Sequence, residues 1–93
     1  MGFNKDTAAE AAKRDLARRL GVSENDVKIG HVKDTDFPDM SLGAPANGEM
    51  SAQMISSGWK IDLSASGKNY EYRADKYQLR LCNFKGGNHV IKS

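Results

Sequence analysis

Apolar residues recur along the chain at two different spacings. Near the start they lie three or four residues apart, which is typical of a helix with one apolar side. After the middle they lie two residues apart, which is typical of a strand with one buried face. The order of these patterns predicts one helix followed by several strands.

The helical spacing covers residues 7–20. Its apolar stripe consists of mostly small side chains, which let a helix lie close against a sheet: Ala8, Ala12, Leu16 and Leu20. Thr7 and Glu10 have the spacing of a capping box, so we expect the helix to begin at Thr7. Gly21 can take the left-handed conformation that ends a helix.

The two-residue spacing indicates strands in four segments, near residues 27–32, 59–63, 70–73 and 77–81. Gly30 interrupts the first of them and predicts a bulge there. Short turns separate the last three, as in an antiparallel meander. The fold class is therefore predicted to be α+β, with one N-terminal helix packed on an antiparallel sheet of three to four strands.

The composition fits one folded globular domain, because the 93 residues are 39% hydrophobic and 28% charged and the net charge is only +2. We expect this domain to span residues 1–84. Residues 85–93 have no apolar periodicity, and this predicts a flexible tail.

A long loop separates the first two predicted strands, and it contains both prolines of the chain. Long loops in compact domains are often functional. The candidate interaction residues of loop 38–53 are Pro38, Asp39, Met40, Leu42 and Met50. Its apolar side chains either anchor it to the sheet or face a partner. Anchoring is favoured, because burial of one such side chain offsets about 1.5–3 kcal/mol of the cost of ordering the loop.

No residue pattern indicates catalysis or metal binding. The acidic stretch 34–39 lacks the central glycine of a calcium loop, and its twelfth position is Pro45 instead of a glutamate. His31, His89 and Cys82 do not form a nucleophile and base pair in the sequence, and His89 falls in the predicted tail. We therefore expect no enzymatic activity, no cofactor and no metal.

Nucleic acid is not an expected partner either. The basic residues of the helix lie four residues from acidic ones, Arg14 after Glu10 and Arg19 after Asp15, so a solvated helix face is favoured. Aromatic residues of the strands alternate with polar ones, which favours core packing over a face that stacks bases or a small molecule: Trp59, Tyr70, Tyr72 and Tyr77.

The sequence contains no apolar run long enough to cross a bilayer and no signal peptide as written. We expect a cytoplasmic protein, or a secreted or periplasmic one if a signal peptide was removed. Cys82 is the single cysteine, so no internal disulfide forms. The oligomeric state is left open.

Four segments resemble a known sequence pattern. Residues 37–45, 49–53, 58–61 and 70–73 read FPDMSLGAP, EMSAQ, GWKI and YEYR. They resemble a family of small bacterial domains of uncharacterised function, often found in secreted or lipoprotein contexts, over about residues 8–82. Its pattern runs W-P-D-x-C-L-G, E-M-C-A-Q-V-I-T-P-G-Y and Y-E-Y-R-T-D. The resemblance implies a topology similar to PepSY-like and cystatin-like domains, a helix on an antiparallel sheet.

Cysteines of that family are missing here. Relatives have cysteine in place of Ser41 and Ser51, and the loss of both implies that these positions touch and that the loop folds back on itself. Other members of the family have one cysteine in place of Ala44 and another near the position of Cys82. The chain thus looks like a disulfide-free branch of the family, or like one from which cysteines were removed deliberately.

These observations favour a non-enzymatic binding module whose partner is a protein, contacted through loop 38–53 and the neighbouring strand edge. One alternative is a protease-inhibitor-like domain in which the same loop enters a protease cleft. The other is a small-molecule or nucleic-acid binder that uses the aromatic sheet face.

Overall fold

A computed structural model describes residues 2–92 of the chain. The helix α1 spans Lys5–Leu20, and a single 3-10 turn, Glu24–Asp26, leads into the sheet. The sheet has five antiparallel strands in sequence order: β1 (Lys28–Phe37), β2 (Ser56–Ala65), β3 (Lys68–Ala74), β4 (Leu79–Phe84) and β5 (Gly87–Lys92). The predicted α+β class is confirmed. The predicted number of three to four strands was too low by at least one, since the sheet has five.

The extra strand is β5, which lies where the sequence predicted a tail without regular structure. It pairs with β4, and the pairing register shifts twice along this strand pair. Such shifts break the two-residue alternation of buried and exposed side chains, so the segment carries no strand pattern. Residues 87–92 therefore extend the sheet of the domain.

The helix begins two residues before the predicted start. Asn4 is its N-cap, and the Asn4 side chain accepts a hydrogen bond from the Thr7 backbone N–H at 2.8 Å. The Thr7 hydroxyl in turn accepts one from the Asn4 backbone N–H at 2.8 Å. Thr7 is thus the third residue of the helix, because Asn4 is an equally good cap residue and lies upstream. Gly21 ends the helix in the left-handed conformation, as predicted, with φ of 69°.

The core lies between α1 and one face of the sheet. The small side chains Ala8 and Ala12 are fully buried, which brings the helix close to the strands. The sheet contributes alternate residues of β2, β3 and β4 to the same core: Ile61, Leu63, Tyr72, Ala74, Leu79 and Leu81. The residues between them, including Arg73 and Arg80, therefore point to the opposite face.

The predicted bulge at Gly30 is confirmed, since the register of β1 against β2 shifts between Ile29 and Val32. Within residues 2–92, no helix is long and apolar enough to cross a membrane.

Candidate functional site

The long loop between β1 and β2 covers part of the sheet face that α1 leaves open. Its first half is held there by side chains of β3 and β4 that donate to its backbone carbonyls. Arg73 Nη1 donates to Leu42 O at 2.8 Å, and Arg80 Nη1 donates to Ala44 O at 3.1 Å. The loop is therefore attached to the sheet by charge-assisted hydrogen bonds.

Arg80 is the centre of this attachment and is only 3% exposed. Its Nη2 donates to Glu49 Oε2 at 2.8 Å, and its Nε donates to Gln78 Oε1 at 2.7 Å. The hydrogen bonds from Arg80 to Glu49 lower the pKa of that carboxyl to about 2. We call the Arg80–Glu49 pair the latch of the loop.

A compact turn around Asp39 shapes the start of the loop. Asp39 Oδ1 accepts hydrogen bonds from the Ser41 hydroxyl at 2.6 Å, from the Ser41 N–H at 2.9 Å and from the Gly43 N–H at 3.0 Å. The hydroxyl of Ser41 is the main cause of the lowered pKa of Asp39, followed by the Gly43 N–H. Asp39 thus orders the loop from within.

The structure separates the five predicted interaction residues. Leu42 is fully buried, so it anchors the loop, and Asp39 is half-buried in its own turn. Pro38 is exposed, Met40 is 39% exposed and Met50 is 95% exposed. Of the five, the two methionines and Pro38 are accessible to a partner.

The second half of the loop is a run of exposed apolar side chains. Met54 is 63% exposed and Ile55 is 75% exposed. This half is joined to the first half by a hydrogen bond from the Met40 N–H to Ala52 O at 3.0 Å. The loop therefore folds back on itself, with its apolar end beside Met40.

Tyr77 lies next to this run and is 73% exposed. The sequence pattern assigned Tyr77 to the buried face of the last strand, but β4 begins only at Leu79. The cause is a turn at Asp75, whose Oδ1 accepts from the Tyr77 N–H at 2.7 Å and the Gln78 N–H at 3.0 Å. An Asp two residues before an aromatic residue is the local signal for such a turn.

Met40, Ile55 and Tyr77 line one shallow groove of about 200 Å³, whose other lining residues are Ser56, Ser57, the buried Asp75 and Lys76. We define the apolar patch as Met40, Met54, Ile55 and Tyr77. Sequence reasoning identified Met40 but missed the other three, although the run from Met50 to Ile55 has apolar residues without helix or strand periodicity.

The remaining candidates lie apart from this groove. Trp59, Tyr70 and Tyr72 are on the face that α1 covers, and Tyr72 is completely buried. Cys82 is buried on β4, and its burial raises the thiol pKa to about 11. Among residues 2–92, no group of three or more His, Cys, Asp or Glu side chains is placed to hold a metal ion.

A comparison with family models matches residues 9–82 to the family described as Domain of unknown function (DUF8738). No curated protein and no solved structure gives a significant match to the chain.

Proposed function

Because the chain belongs to this family of domains of unknown function, we propose from its own surface that it is a non-enzymatic interaction module whose partner is a protein. The observation that carries the proposal is the apolar patch, in which four large side chains are between 39% and 75% exposed. Large exposed apolar patches on soluble domains often mark protein-interaction sites. Met and Tyr are also among the residues enriched at protein interfaces.

Hydrogen bonds hold two members of the patch in place, Met40 and Tyr77. Met40 O accepts from Gln78 Nε2 at 2.7 Å, and the Ser56 hydroxyl donates to Met40 Sδ at 3.1 Å. The Asp75 turn fixes the backbone on either side of Tyr77. A surface that is ordered before binding loses less conformational entropy when the partner docks.

The groove sets the chemistry of the partner. Its volume of about 200 Å³ suits one or two apolar side chains of an extended segment. Lys76 is the exposed charge at its side, and no ion pair to Lys76 is formed within residues 2–92. We expect a partner segment in which an apolar residue is followed or preceded by an acidic one, so that the acid meets Lys76.

The test is selection of displayed peptides on the folded domain, followed by affinity measurements on variants. Ile55→Ser and Tyr77→Ser each remove one apolar side of the groove. We expect each to weaken binding of the selected peptides by about tenfold or more, since truncation of a hot-spot residue costs about 2 kcal/mol or more and about 1.4 kcal/mol corresponds to tenfold.

Val90→Ser is the matched control, because Val90 is also an exposed apolar residue, 38% exposed, and lies on β5. It is expected to bind the peptides like the parent chain. Peptides that bind the double variant Ile55→Ser/Tyr77→Ser as well as the parent, with all chains folded, would refute the proposal.

A second candidate is a protease-inhibitor-like domain, and it is favoured by the exposure of Met50 in the long loop. Met50 is 95% exposed, so the end of the loop is accessible to a cleft. An inhibitor loop must resist cleavage while it occupies the active site. Absence of inhibition against a broad panel of proteases, with the domain folded, would remove this candidate and leave the interaction module.

A further inference from the structure

A second groove lies on the molecule where three elements meet. The end of α1 contributes Arg19, the tip of the long loop contributes Pro45 and Asn47, and the turn between β4 and β5 contributes Lys85 and the residues after it. The groove has a volume of about 670 Å³. It is separate from the apolar patch, with which it shares no lining residue.

The charges that line this groove are of one sign. Arg19 and Lys85 are cationic, and none of the lining residues is an Asp or a Glu. The C-terminal segment 76–92 as a whole contains four Lys or Arg residues and no acidic residue. A concave site lined by one sign of charge concentrates ligands of the opposite sign.

Both cations are held by the same aromatic ring. The Arg19 guanidinium lies 5.6 Å from the centroid of Phe84, and the Lys85 ammonium lies 5.5 Å from it. Arg19 uses its Nε to donate to Asp15 at 2.7 Å, which fixes the guanidinium from the helix side. Its two terminal nitrogens are therefore oriented and remain to bind a ligand.

The turn between the strands also suits close approach of an anion. Lys85 and Gly86 both have positive φ, 53° and 82°. The left-handed conformation is costly for a lysine, and Asn is the residue that such a turn usually has at this position. Gly86 and Gly87 carry no side chain, so a ligand can reach their backbone.

We propose that this groove binds a phosphate group, with Arg19 and Lys85 as the two cations that hold it. Because Asp15 already balances the charge of Arg19, the preference for phosphate rests on its three strong acceptor oxygens, against two in a carboxylate. Arginine and phosphate also form paired hydrogen bonds with matching geometry. This proposal is independent of the proposed interaction module.

The test is a titration of the isotope-labelled full chain with inorganic phosphate at constant ionic strength and pH, followed by amide NMR. We expect saturable shifts confined to residues 85–89 and the end of α1, and weaker binding of acetate. Lys85→Gln is expected to weaken phosphate binding by about tenfold, as for loss of one charge-assisted hydrogen bond. Arg19→Lys keeps the ion pair with Asp15 but removes the planar fork, and is expected to weaken binding as well.

Lys33→Gln is the matched control, because it removes the same charge from an exposed lysine on β1, at the opposite edge of the sheet, and should change binding by less than about twofold. A parallel titration with vesicles that contain phosphatidic acid identifies the source of the phosphate. Vesicle binding that is lost in Lys85→Gln assigns the site to a lipid headgroup, and binding of free phosphate alone assigns it to a soluble ligand. Shifts that do not saturate, or equal weakening by Lys33→Gln and Lys85→Gln, would overturn the proposal.

Discussion

Arg80 on β4 and Glu49 in the long loop form a paired hydrogen bond between residues that are 31 positions apart in the chain. Arg80 is almost completely buried, while the side chain of Glu49 is 29% exposed. A buried guanidinium needs a carboxylate partner, because an uncompensated charge in the interior is strongly unfavourable. The pair is therefore one of the contacts that hold the loop over the sheet, together with the hydrogen bonds from Arg73 and Gln78 to the loop backbone.

Glu49→Gln is expected to destabilise the domain by about 2–3 kcal/mol at neutral pH, since it leaves the buried Arg80 without its counter-charge. Urea unfolding followed by circular dichroism measures this. Glu24→Gln, which changes an exposed Glu in the 3-10 turn, is the control and should be close to neutral. A stability of Glu49→Gln equal to that of the parent would contradict the role of the latch.

The same pair predicts a pH dependence. The pKa of Glu49 is about 2 in the folded chain and 4.5 ordinarily. A lowered folded pKa gives stability that is fully present above pH 4.5 and is lost as the pH falls through 2. The difference in unfolding free energy between the parent and Glu49→Gln should therefore shrink between these two values. A difference that stays constant over this range would show that the carboxylate charge is not what holds the loop.

A second prediction concerns the buried contact between the helix and the sheet. The Tyr72 hydroxyl donates to Asp15 Oδ2 at 2.7 Å, and Arg19 Nε donates to the same oxygen. Tyr72→Phe removes one of these two donors and is expected to cost about 1–2 kcal/mol of unfolding free energy. Tyr70→Phe on the same strand is the control. The Tyr70 hydroxyl makes no hydrogen bond within residues 2–92, so this change should alter stability much less.

The helix and four of the five strands could be predicted, most clearly where their side chains obey a local period. The small apolar stripe of α1 and the alternation of β2 and β3 each reflect one buried and one open face. The helix start was wrong by two residues, since both Asn4 and Thr7 are good N-cap residues. The choice between them depends on where the chain turns away from the sheet, and Phe3 N–H donates to Lys76 O there.

The candidate site could be predicted only in part, because it depends on long-range contacts. Arg80 lies between Leu79 and Leu81, and such alternation predicts a side chain in water. Arg80 is buried because the long loop folds over it. Glu49 of that loop pairs with Arg80 and lies 31 positions earlier in the chain. No local pattern contains that pairing. The exposure of Tyr77 has a local origin instead, since the Asp75 turn interrupts the alternation before β4 begins.

A third prediction concerns Gly58 in β2. A Cβ atom at this position would overlap the carbonyl oxygen of Ala74 and lie 3.0 Å from its carbonyl carbon. Both atoms belong to the backbone, so the strand pair would have to separate. Gly58→Ala is expected to cost more than about 3 kcal/mol or to prevent folding.

Gly30→Ala is the control for this prediction. Its added Cβ would lie 3.3 Å from Asp62 O, a contact that a shift of a few tenths of an ångström relieves. We expect a cost below about 1 kcal/mol, measured by urea unfolding of both variants. Equal stability of the two alanine variants would mean that the strands at Gly58 are not as close as described.

The last prediction concerns the reactivity of Cys82. Burial raises the pKa of its thiol from 9.0 to about 11. Since the thiolate is the reactive form, two pKa units reduce its population at pH 8 by about a hundredfold, and burial also hinders access. Alkylation by iodoacetamide at this pH should therefore be at least about a hundredfold slower in the folded chain than in urea.

Similar rates in the two states would show that β4 opens readily, and Glu49→Gln would then be expected to react no faster than the parent. If the folded chain is protected and Glu49→Gln reacts faster, the loop over the sheet is what shields this strand.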